Sequence, residues 1–412
     1  MSIRTLMFGW EYPPLHLGGL GVACQGLVRG LLGNGVVVTL VLPKKSRDQE
    51  ENVHTIAPTE KIMKSVRIES MLSPYESAEN FALRCLTLPR EMQQIYGSNL
   101  PEAVSHFASM SVEMTRDEPT DIVHCHDWMT YEAGIAASRY HEKPLVAHIH
   151  ATELDRTHFH PNEWIFAQEL RGFSEADRII AVSNYTKNIL VDHYGIRPDK
   201  IVVVHNGLAA PTEPPVKKHL LQSTSKPKRH PIVLFLGRMT LQKGPEQFLM
   251  MAAAIHKLRP DVQFVMAGDG GMLGEIMQRA CVLGLQDCIL FSGKVTNDEA
   301  TRLYERASCF VMPSLSEPFG LVALEAIAHG TPVILSKQSG AAEVVGHAFK
   351  VDFWDTDKMA DCVLTVLRDQ PLAEQLISEA PRVLQRLTWK HQAEQVKAIY
   401  TQLLHRSPHP EL

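Results

Sequence analysis

Short runs of apolar residues alternate along the chain with longer segments in which apolar residues recur every three or four positions. The runs are typical of buried parallel strands, and the longer segments are typical of helices with one apolar face. This alternation predicts an α/β fold with parallel sheets. The predicted strands lie at residues 3–8, 36–42, 144–150, 178–182 and 200–205, with another from 121, and again at 231–236, 262–267, 288–291, 309–312 and 331–335.

A segment near the middle of the chain interrupts this alternation. Residues 209–230 are rich in proline and lysine and poor in apolar residues, which is typical of a linker. A chain of 412 residues is long enough for two domains, each with its own core. The sequence therefore predicts a first domain at 1–208, a linker at 209–230, a second domain at 231–387 and a C-terminal helix at 388–412.

The composition is that of a soluble globular protein, with 45% hydrophobic and 21% charged residues. The net charge of −5 gives no sign of a nucleic-acid surface, and we interpret Lys44-Lys45 and Lys217-Lys218 as solvated loop charge rather than a membrane-contacting patch. No run approaches the roughly 20 apolar residues of a spanning helix, and the N-terminus lacks a signal peptide's apolar stretch. Seven scattered cysteines without a Cys-x2-Cys pair indicate a reducing cytoplasm rather than disulfides or structural zinc.

The most informative stretch follows the apolar run 309–312. It carries Glu317 in a short loop and then a helix that begins near Gly320, contains Glu325 and ends at Gly330. Unpaired backbone N–H groups at a helix N-terminus attract phosphate. Here those groups belong to Phe319, Gly320 and Leu321. The two glutamates are suited to accept hydrogen bonds from sugar hydroxyls, so the stretch suggests a nucleotide sugar as ligand. An acidic helix start that only complements the helix dipole is the alternative.

Two cationic residues stand between a predicted strand and a predicted helix of the second domain. Arg238 and Lys243 follow the strand at 231–236, and Pro245 suits the first position of the next helix. An arginine fork and a lysine ammonium at a strand end are able to hold a diphosphate. The alternative is a solvated loop with no ligand.

Two patterns raise the question of a metal. His124 and His126 alternate along a strand and therefore point to one side, as in a His-x-His metal pair. We favour hydrogen bonding for both, because no barrel-like series of eight strand–helix units follows. Asp355 and Asp357 form an Asp-x-Asp pair at the start of a helical segment, so an N-terminal cap explains them better than a metal does. We expect no metal.

These motifs resemble those of a known enzyme family. Glu317-Pro-Phe-Gly-Leu-x3-Glu325 resembles the Glu-x7-Glu motif of retaining glycosyltransferases with two Rossmann-like domains (GT-B fold), in the glycosyl transferases group 1 branch. That branch contains glycogen and starch synthases, sucrose synthases and mannosyltransferases. Gly237-Arg-x4-Lys243-Gly is similar to the family's donor-phosphate site, and the resemblance covers nearly the whole chain. It implies two domains that face each other across a cleft.

The resemblance also implies roles for residues of the first domain. The loop Leu17-Gly-Gly-Leu-Gly-Val22, after the first predicted strand, resembles the Lys-Thr-Gly-Gly-Leu loop of glycogen synthases. His16 and Leu17 stand here in place of the lysine and threonine. Its glycines would offer backbone N–H groups to phosphate, although the spacing is not that of a dinucleotide site. The residues implied for the donor are Gly18, Gly19, His150 (rather than His148, by register) and Asn206, and those for the acceptor or sugar are Asp127 and Trp128. In the second domain the resemblance implies Lys294 and Val295 for the donor.

The family resemblance implies a reaction. We expect hexosyl transfer, with glucose first, from ADP-glucose or UDP-glucose to an α-glucan, with retention and without a cofactor, as in a short bacterial glycogen synthase. The residues expected to carry it are His150, Arg238, Lys243 and Glu317. A transferase that makes a disaccharide, a sugar phosphate or a glycolipid shares every motif. A non-catalytic nucleotide-sugar sensor and a sugar epimerase or phosphorylase are the candidates from different functional classes.

Overall fold

The computed structural model describes residues 2–12, 19–44, 53–56, 63–69, 99–208 and 230–405. The chain divides into two compact units. Unit 1 comprises Met1–Glu153, Pro161–Gly207 and Thr388–Leu412, and unit 2 comprises Leu154–His160 and Leu208–Leu387. All of the expected linker except His230 lies outside the described residues, as does Gly18. Within the described ranges, no helix combines the length and the apolar character needed to cross a bilayer.

The described residues of unit 1 form an eight-stranded sheet in the order β3-β4-β2-β1-β5-β6-β7-β8. Neighbouring strands are parallel except for β3 and β4, which are antiparallel. Its strands are β1 Arg4–Phe8, β2 Val37–Lys44, β3 Val53–Ile56, β4 Met63–Glu69, β5 Ile122–His126, β6 Leu145–Ile149, β7 Arg178–Ala181 and β8 Ile201–Val203. Central strands such as β1 and β5 are almost wholly buried, as parallel strands covered on both faces must be.

Polar caps mark several helices of the first part of the chain. The Asn99 side chain accepts a hydrogen bond from the Glu102 N–H at the start of α2, and Ser183 caps α6 through the Thr186 N–H. The described helices are α1 Gly19–Gly33, α2 Leu100–Met114, α3 Trp128–His141, α4 Glu153–Thr157, α5 Glu163–Glu175 and α6 Asn184–Tyr194, with α15 Trp389–His405 at the other end of the sequence.

Helix α15 packs against α1 within unit 1, and Trp389 lies at this contact. A methyl group on Gly26 would lie 2.1 Å from the Trp389 ring, and one on Gly30 would lie 2.5 Å from the Trp389 carbonyl oxygen. A methyl group on Gly207 would lie 2.5 Å from the Trp389 backbone nitrogen. Only glycine allows so close an approach. The α15 residues Ala393, Val396 and Tyr400 therefore share one apolar core with α1 and β2.

Unit 2 contains a six-stranded parallel sheet in the order β11-β10-β9-β12-β13-β14. Its strands are β9 Ile232–Leu236, β10 Gln263–Ala267, β11 Ile289–Gly293, β12 Cys309–Met312, β13 Val333–Ser336 and β14 Phe349–Val351. Its helices are α7 Pro245–Leu258, α8 Leu273–Val282, α9 Asn297–Arg306, α10 Leu321–Ala328, α11 Ala341–Val344, α12 Thr356–Arg368, α13 Gln370–Ser378 and α14 Ala380–Arg386.

Several local expectations are confirmed in unit 2. Pro245 is the first residue of α7, and Gly330, at φ 71°, follows the last turn of α10. The Asp355 side chain accepts a hydrogen bond from the Lys358 N–H at 3.0 Å, so Asp355 caps α12 as expected. The helix after the glycine-rich turn at Gly268 begins at Leu273.

Both sheets reverse their strand order at one point. In unit 1 the reversal lies between β1 and β5, and in unit 2 it lies between β9 and β12. Loops at the carboxyl ends of such strands diverge and leave room for a ligand. The expected motifs follow these four strands and β6, so the fold prediction of two α/β units with parallel sheets is confirmed.

Candidate active site

The loops after β9 and β12 are joined to each other in unit 2. The Leu315 N–H donates to the Gln242 carbonyl oxygen at 2.9 Å. Gly244 has φ 68°, and a Cβ there would lie 2.1 Å from the Pro313 carbonyl oxygen. This backbone conformation and this approach both favour glycine. The strand order thus brings together two motifs that lie far apart in sequence.

Lys243 and Glu317 form an ion pair where these loops meet. The Lys243 Nζ lies 2.5 Å from a Glu317 carboxylate oxygen, and the side chains are only 21% and 7% exposed. The Ser314 hydroxyl donates to the same oxygen at 3.3 Å. The Glu317 backbone is fixed on both sides, because its N–H donates to the Gln338 carbonyl and its carbonyl accepts from the Gly340 N–H. The carboxylate therefore has a set position and a single cationic partner in these contacts.

The N-terminus of α10 lies a few residues further along the same loop. Gly320 precedes the helix with φ 102°, and no side chain in the described part of the chain caps this end. The Phe319 side chain is buried, and its carbonyl accepts a hydrogen bond from the Ala341 N–H. The helix start expected near Gly320 is confirmed, with Leu321 as the first helical residue. Such an end carries partial positive charge and suits a phosphate oxygen.

Glu325 is more enclosed than the sequence suggested. It lies in the second turn of α10, where the Tyr304 hydroxyl of α9 donates to its carboxylate at 2.9 Å. Burial raises the pKa of the Glu325 carboxyl above its usual value, although the Tyr304 hydrogen bond lowers it. Sequence analysis missed Tyr304. A buried tyrosine in an otherwise polar helix was the available signal, but nothing in the sequence pairs it with Glu325.

The other donor-side residues of unit 2 lie at strand ends. Arg238 is half-buried in the turn after β9, which is held by hydrogen bonds from the Met239 N–H to Asp269 and from the Met272 N–H to Met239. Lys294 is exposed, directly after β11, and Val295 follows it half-buried. These positions lie at the carboxyl edge of the sheet, where the sequence placed them.

In unit 1, Asp127 binds the chain itself. Its carboxylate accepts a hydrogen bond from the His150 N–H at 2.7 Å, and its own N–H donates to the His148 carbonyl at 2.9 Å. Its φ of 58° is unusual for a residue other than glycine, so these contacts hold a strained turn. Trp128 is the first residue of α3 and packs edge-on against Trp164.

His150 belongs to a buried group of four histidines at the ends of β5 and β6. His126 Nδ1 and His150 Nε2 are 2.9 Å apart, and His124 Nε2 and His148 Nδ1 are 3.2 Å apart. Burial lowers the pKa of His124 and of His150 to about 3, and it places those of His126 and His148 well below the usual value. All four are therefore neutral at pH 7. The Nδ1 atoms of His124 and His126 lie within hydrogen-bond distance of the Tyr400 hydroxyl and of His150 Nε2.

The remaining donor-side residues of unit 1 have mixed surroundings. Gly19 is the exposed first residue of α1, at the carboxyl side of β1, while Gly18 is outside the described residues. Asn206 is buried next to Gly207, which lies against Trp389. A packing role therefore accounts for Gly207, whereas a donor role for Asn206 stays a prediction.

Comparison with known proteins agrees with both halves of the chain. Residues 216–383 match the family described as Glycosyl transferases group 1, and residues 17–210 match Glycosyltransferase Family 4. An uncharacterized glycosyltransferase from Methanocaldococcus jannaschii is 28% identical over 97% of this chain and 98% of its own length. A glycogen synthase from Mycobacterium tuberculosis is 28% identical over 100% of this chain and 98% of its own length.

Solved structures show the same architecture. The sucrose-phosphate synthase of Thermosynechococcus elongatus gives a TM-score of 0.76 at 22% identity and covers 99% of this chain and 100% of that one. The catalytic domain of starch synthase IV from Arabidopsis thaliana, bound to ADP and acarbose, gives 0.69 at 17% identity and covers 98% and 100%. These likenesses show the GT-B fold. With both halves of the sequence matched as well, the chain is a glycosyltransferase whose second half matches the group 1 family and whose first half matches Glycosyltransferase Family 4.

Proposed function

We propose that this glycosyltransferase moves a glucosyl unit from a nucleoside diphosphate sugar to an α-glucan with retention of the anomeric configuration. The observation that carries the proposal is the Lys243–Glu317 ion pair beside the N-terminus of α10, at the strand reversal of unit 2. A cation, a carboxylate and a helix N-terminus at one sheet edge suit a ligand that is part diphosphate and part sugar.

The pair suggests an exchange of partners when the donor binds. Lys243 would leave Glu317 for the β-phosphate, together with Arg238, and Glu317 would then accept a hydrogen bond from a hexose hydroxyl. As the bond between C1 and the phosphate oxygen breaks, its electron pair passes to that oxygen, and the positive groups stabilise the new charge. The acceptor hydroxyl forms the new bond to C1, and its proton passes to the departing diphosphate.

Retention and the glucan acceptor rest on similarity. The Glu317 to Glu325 spacing resembles the motif of retaining enzymes, and a glycogen synthase is among the full-length relatives. The starch synthase structure, bound to ADP and acarbose, supports a nucleoside diphosphate and an oligosaccharide as ligand classes.

The test is a transfer assay with purified protein. ADP-glucose and UDP-glucose are each supplied with glycogen, maltose or glucose 1-phosphate, and release of nucleoside diphosphate and the anomeric configuration of the product are measured. We expect transfer to glycogen with an α-linked product. Lys243→Ala is compared with Lys257→Ala, a change at an exposed lysine in α7. A β-linked product would refute retention, and equal activity of the two variants would refute the site.

A second candidate is transfer to a small sugar or sugar phosphate. The structural likeness to a sucrose-phosphate synthase favours it over transfer to a lipid. Transfer to glucose 1-phosphate or maltose in preference to glycogen would support it. If calorimetry shows donor binding but no acceptor is glycosylated and the donor is not hydrolysed, the protein would be a nucleotide-sugar sensor instead.

A further inference from the structure

The four histidines of unit 1 form one buried group, named here the histidine cluster: His124, His126, His148 and His150. Alternate residues of a strand point to the same face, and β5 and β6 are paired with His126 opposite His148. The rings of His124 and His126 stack with centroids 4.6 Å apart, and those of His148 and His150 stack at 4.4 Å. The ends of β5 and β6 therefore each bring two imidazole rings into one buried cluster.

The hydrogen bonds of the cluster leave ring nitrogens unsatisfied. His126 Nε2, His148 Nε2 and His150 Nδ1 are buried and have no hydrogen-bond partner among the residues that the structure describes. The side chains of His126 and His148 are 0% and 3% exposed. An unsatisfied buried polar atom costs about 1–3 kcal/mol, and an ion bound to His126 Nε2 would remove that cost for one of these three atoms.

The spacing of the rings suits a small cation with nitrogen ligands. One ring nitrogen from each of His124, His126 and His148 lies within 4.8 Å of the others. The 3.2 Å between His124 Nε2 and His148 Nδ1 is close to the edge of a zinc tetrahedron, which is about 3.3 Å for Zn–N bonds of about 2.0–2.1 Å.

Groups around the cluster suit the outer shell of a metal site. The Tyr400 hydroxyl lies 2.5 Å from His124 Nδ1, which directs the opposite nitrogen, Nε2, towards His148. His150 Nε2 lies 2.9 Å from His126 Nδ1, which leaves His126 Nε2 as the nitrogen without a partner. Metal-bound histidines are usually oriented by a hydrogen bond at the other ring nitrogen.

We propose that His124, His126 and His148 bind one divalent transition metal ion, with zinc as the first choice and Tyr400 and His150 as orienting partners. Three imidazoles without a carboxylate favour zinc, nickel or copper over magnesium or calcium. The ion joins the ends of β5 and β6 and has no role of its own in glycosyl transfer, so its binding is tested without a transfer assay. The sequence offered only the His124–His126 pair, and the register of β6 adds the third ligand.

The test uses the full-length chain without an affinity tag, stripped with EDTA and desalted. Zinc binding is measured by calorimetry, retained zinc by elemental analysis after gel filtration, and coordination by the visible spectrum of the cobalt form. We expect one retained ion and an intense tetrahedral cobalt spectrum. His148→Gln should lose both, whereas His391→Gln, an exposed histidine of α15, should keep both.

A milder variant guards against misfolding. Tyr400→Phe keeps all three ligands, and loss of this orienting bond should weaken zinc binding by about 10–100-fold while the far-UV circular dichroism is unchanged. The proposal is overturned if the wild-type chain retains no zinc or cobalt, or if His148→Gln retains one equivalent with the same spectrum. It is also overturned if Tyr400→Phe binds zinc with wild-type affinity.

Discussion

Removing Lys243 should damage both the stability and the activity of the protein, by separable routes. Lys243→Ala leaves the Glu317 carboxylate, which is 7% exposed, with the Ser314 hydroxyl but without its cation. Breaking a fully buried ion pair costs about 3–5 kcal/mol. Because the Lys243 side chain is 21% exposed and water reaches this edge, we expect about 2–3 kcal/mol here.

The complementary change tests the cause. Glu317→Gln removes the buried charge and leaves a lysine that is able to turn towards solvent, so it should cost only about 1 kcal/mol. The double variant should be more stable than Lys243→Ala alone, because no unpaired carboxylate remains. The coupling energy between the two changes should be about 1–3 kcal/mol.

Thermal unfolding and transfer rates measure the two effects. For a unit of this size, about 2–3 kcal/mol corresponds to a fall in melting temperature of about 4–12 °C. Turnover should fall by about 100- to 1000-fold in Lys243→Ala and should not recover in the double variant. Lys257→Ala serves as the control for both measurements. An unchanged melting temperature for Lys243→Ala, or restored turnover in the double variant, would refute this reasoning.

The remaining predictions concern neighbouring groups. Arg238→Ala should lower turnover by about 100- to 1000-fold, and near-normal kcat would contradict a phosphate contact. His150→Ala should mainly lower kcat, because the His150 ring is bonded to His126 and must exchange that partner to reach a hexose. Glu317→Ala should weaken donor binding, measured by calorimetry, by about 1.5–3 kcal/mol. Abolished donor binding in His150→Ala would contradict the first of these expectations. Turnover should persist in EDTA, and activity that is lost there but restored by Mg²⁺ or Mn²⁺ would show a metal-dependent reaction. With EDTA present, the protein should be less stable at pH 5 than at pH 7. The pKa of His124 is about 3 in the folded protein and about 6.5 in the unfolded chain. The contribution of neutral His124 to the free energy of unfolding is therefore complete above pH 6.5 and is smaller by about 2 kcal/mol at pH 5. Equal melting temperatures at the two pH values would exclude this effect.

The parts of the fold that could be predicted from sequence depend on neighbouring residues. Apolar runs located the strands, and the Asp355 cap, Pro245 and Gly330 marked helix ends, because each acts within a few residues of its own position. These local signals also placed Arg238 and Glu317 at the ends of their strands.

The contacts that make the candidate site depend on strand order and register. Lys243 meets Glu317 because β9 and β12 are neighbours, although two strands and their helices separate them in sequence. His148 joins His126 because β5 pairs with β6 in one register. A hydrophobic pattern predicts where the strands are but not their order in the sheet, so it does not predict these side-chain contacts.

The contact of Trp389 with three glycines has a consequence for biosynthesis. A ribosome delivers Gly26 and Gly30 early, but Trp389 emerges only after all of unit 2 has been made. Domains generally fold as units in the order of their synthesis. Here the sheet of unit 1 is translated first, yet the apolar core that contains α1 is completed only when α15 is made. The apolar face of α1 therefore lacks α15 as its partner until the end of translation, and a stop codon before Trp389 would remove α15 from this core altogether.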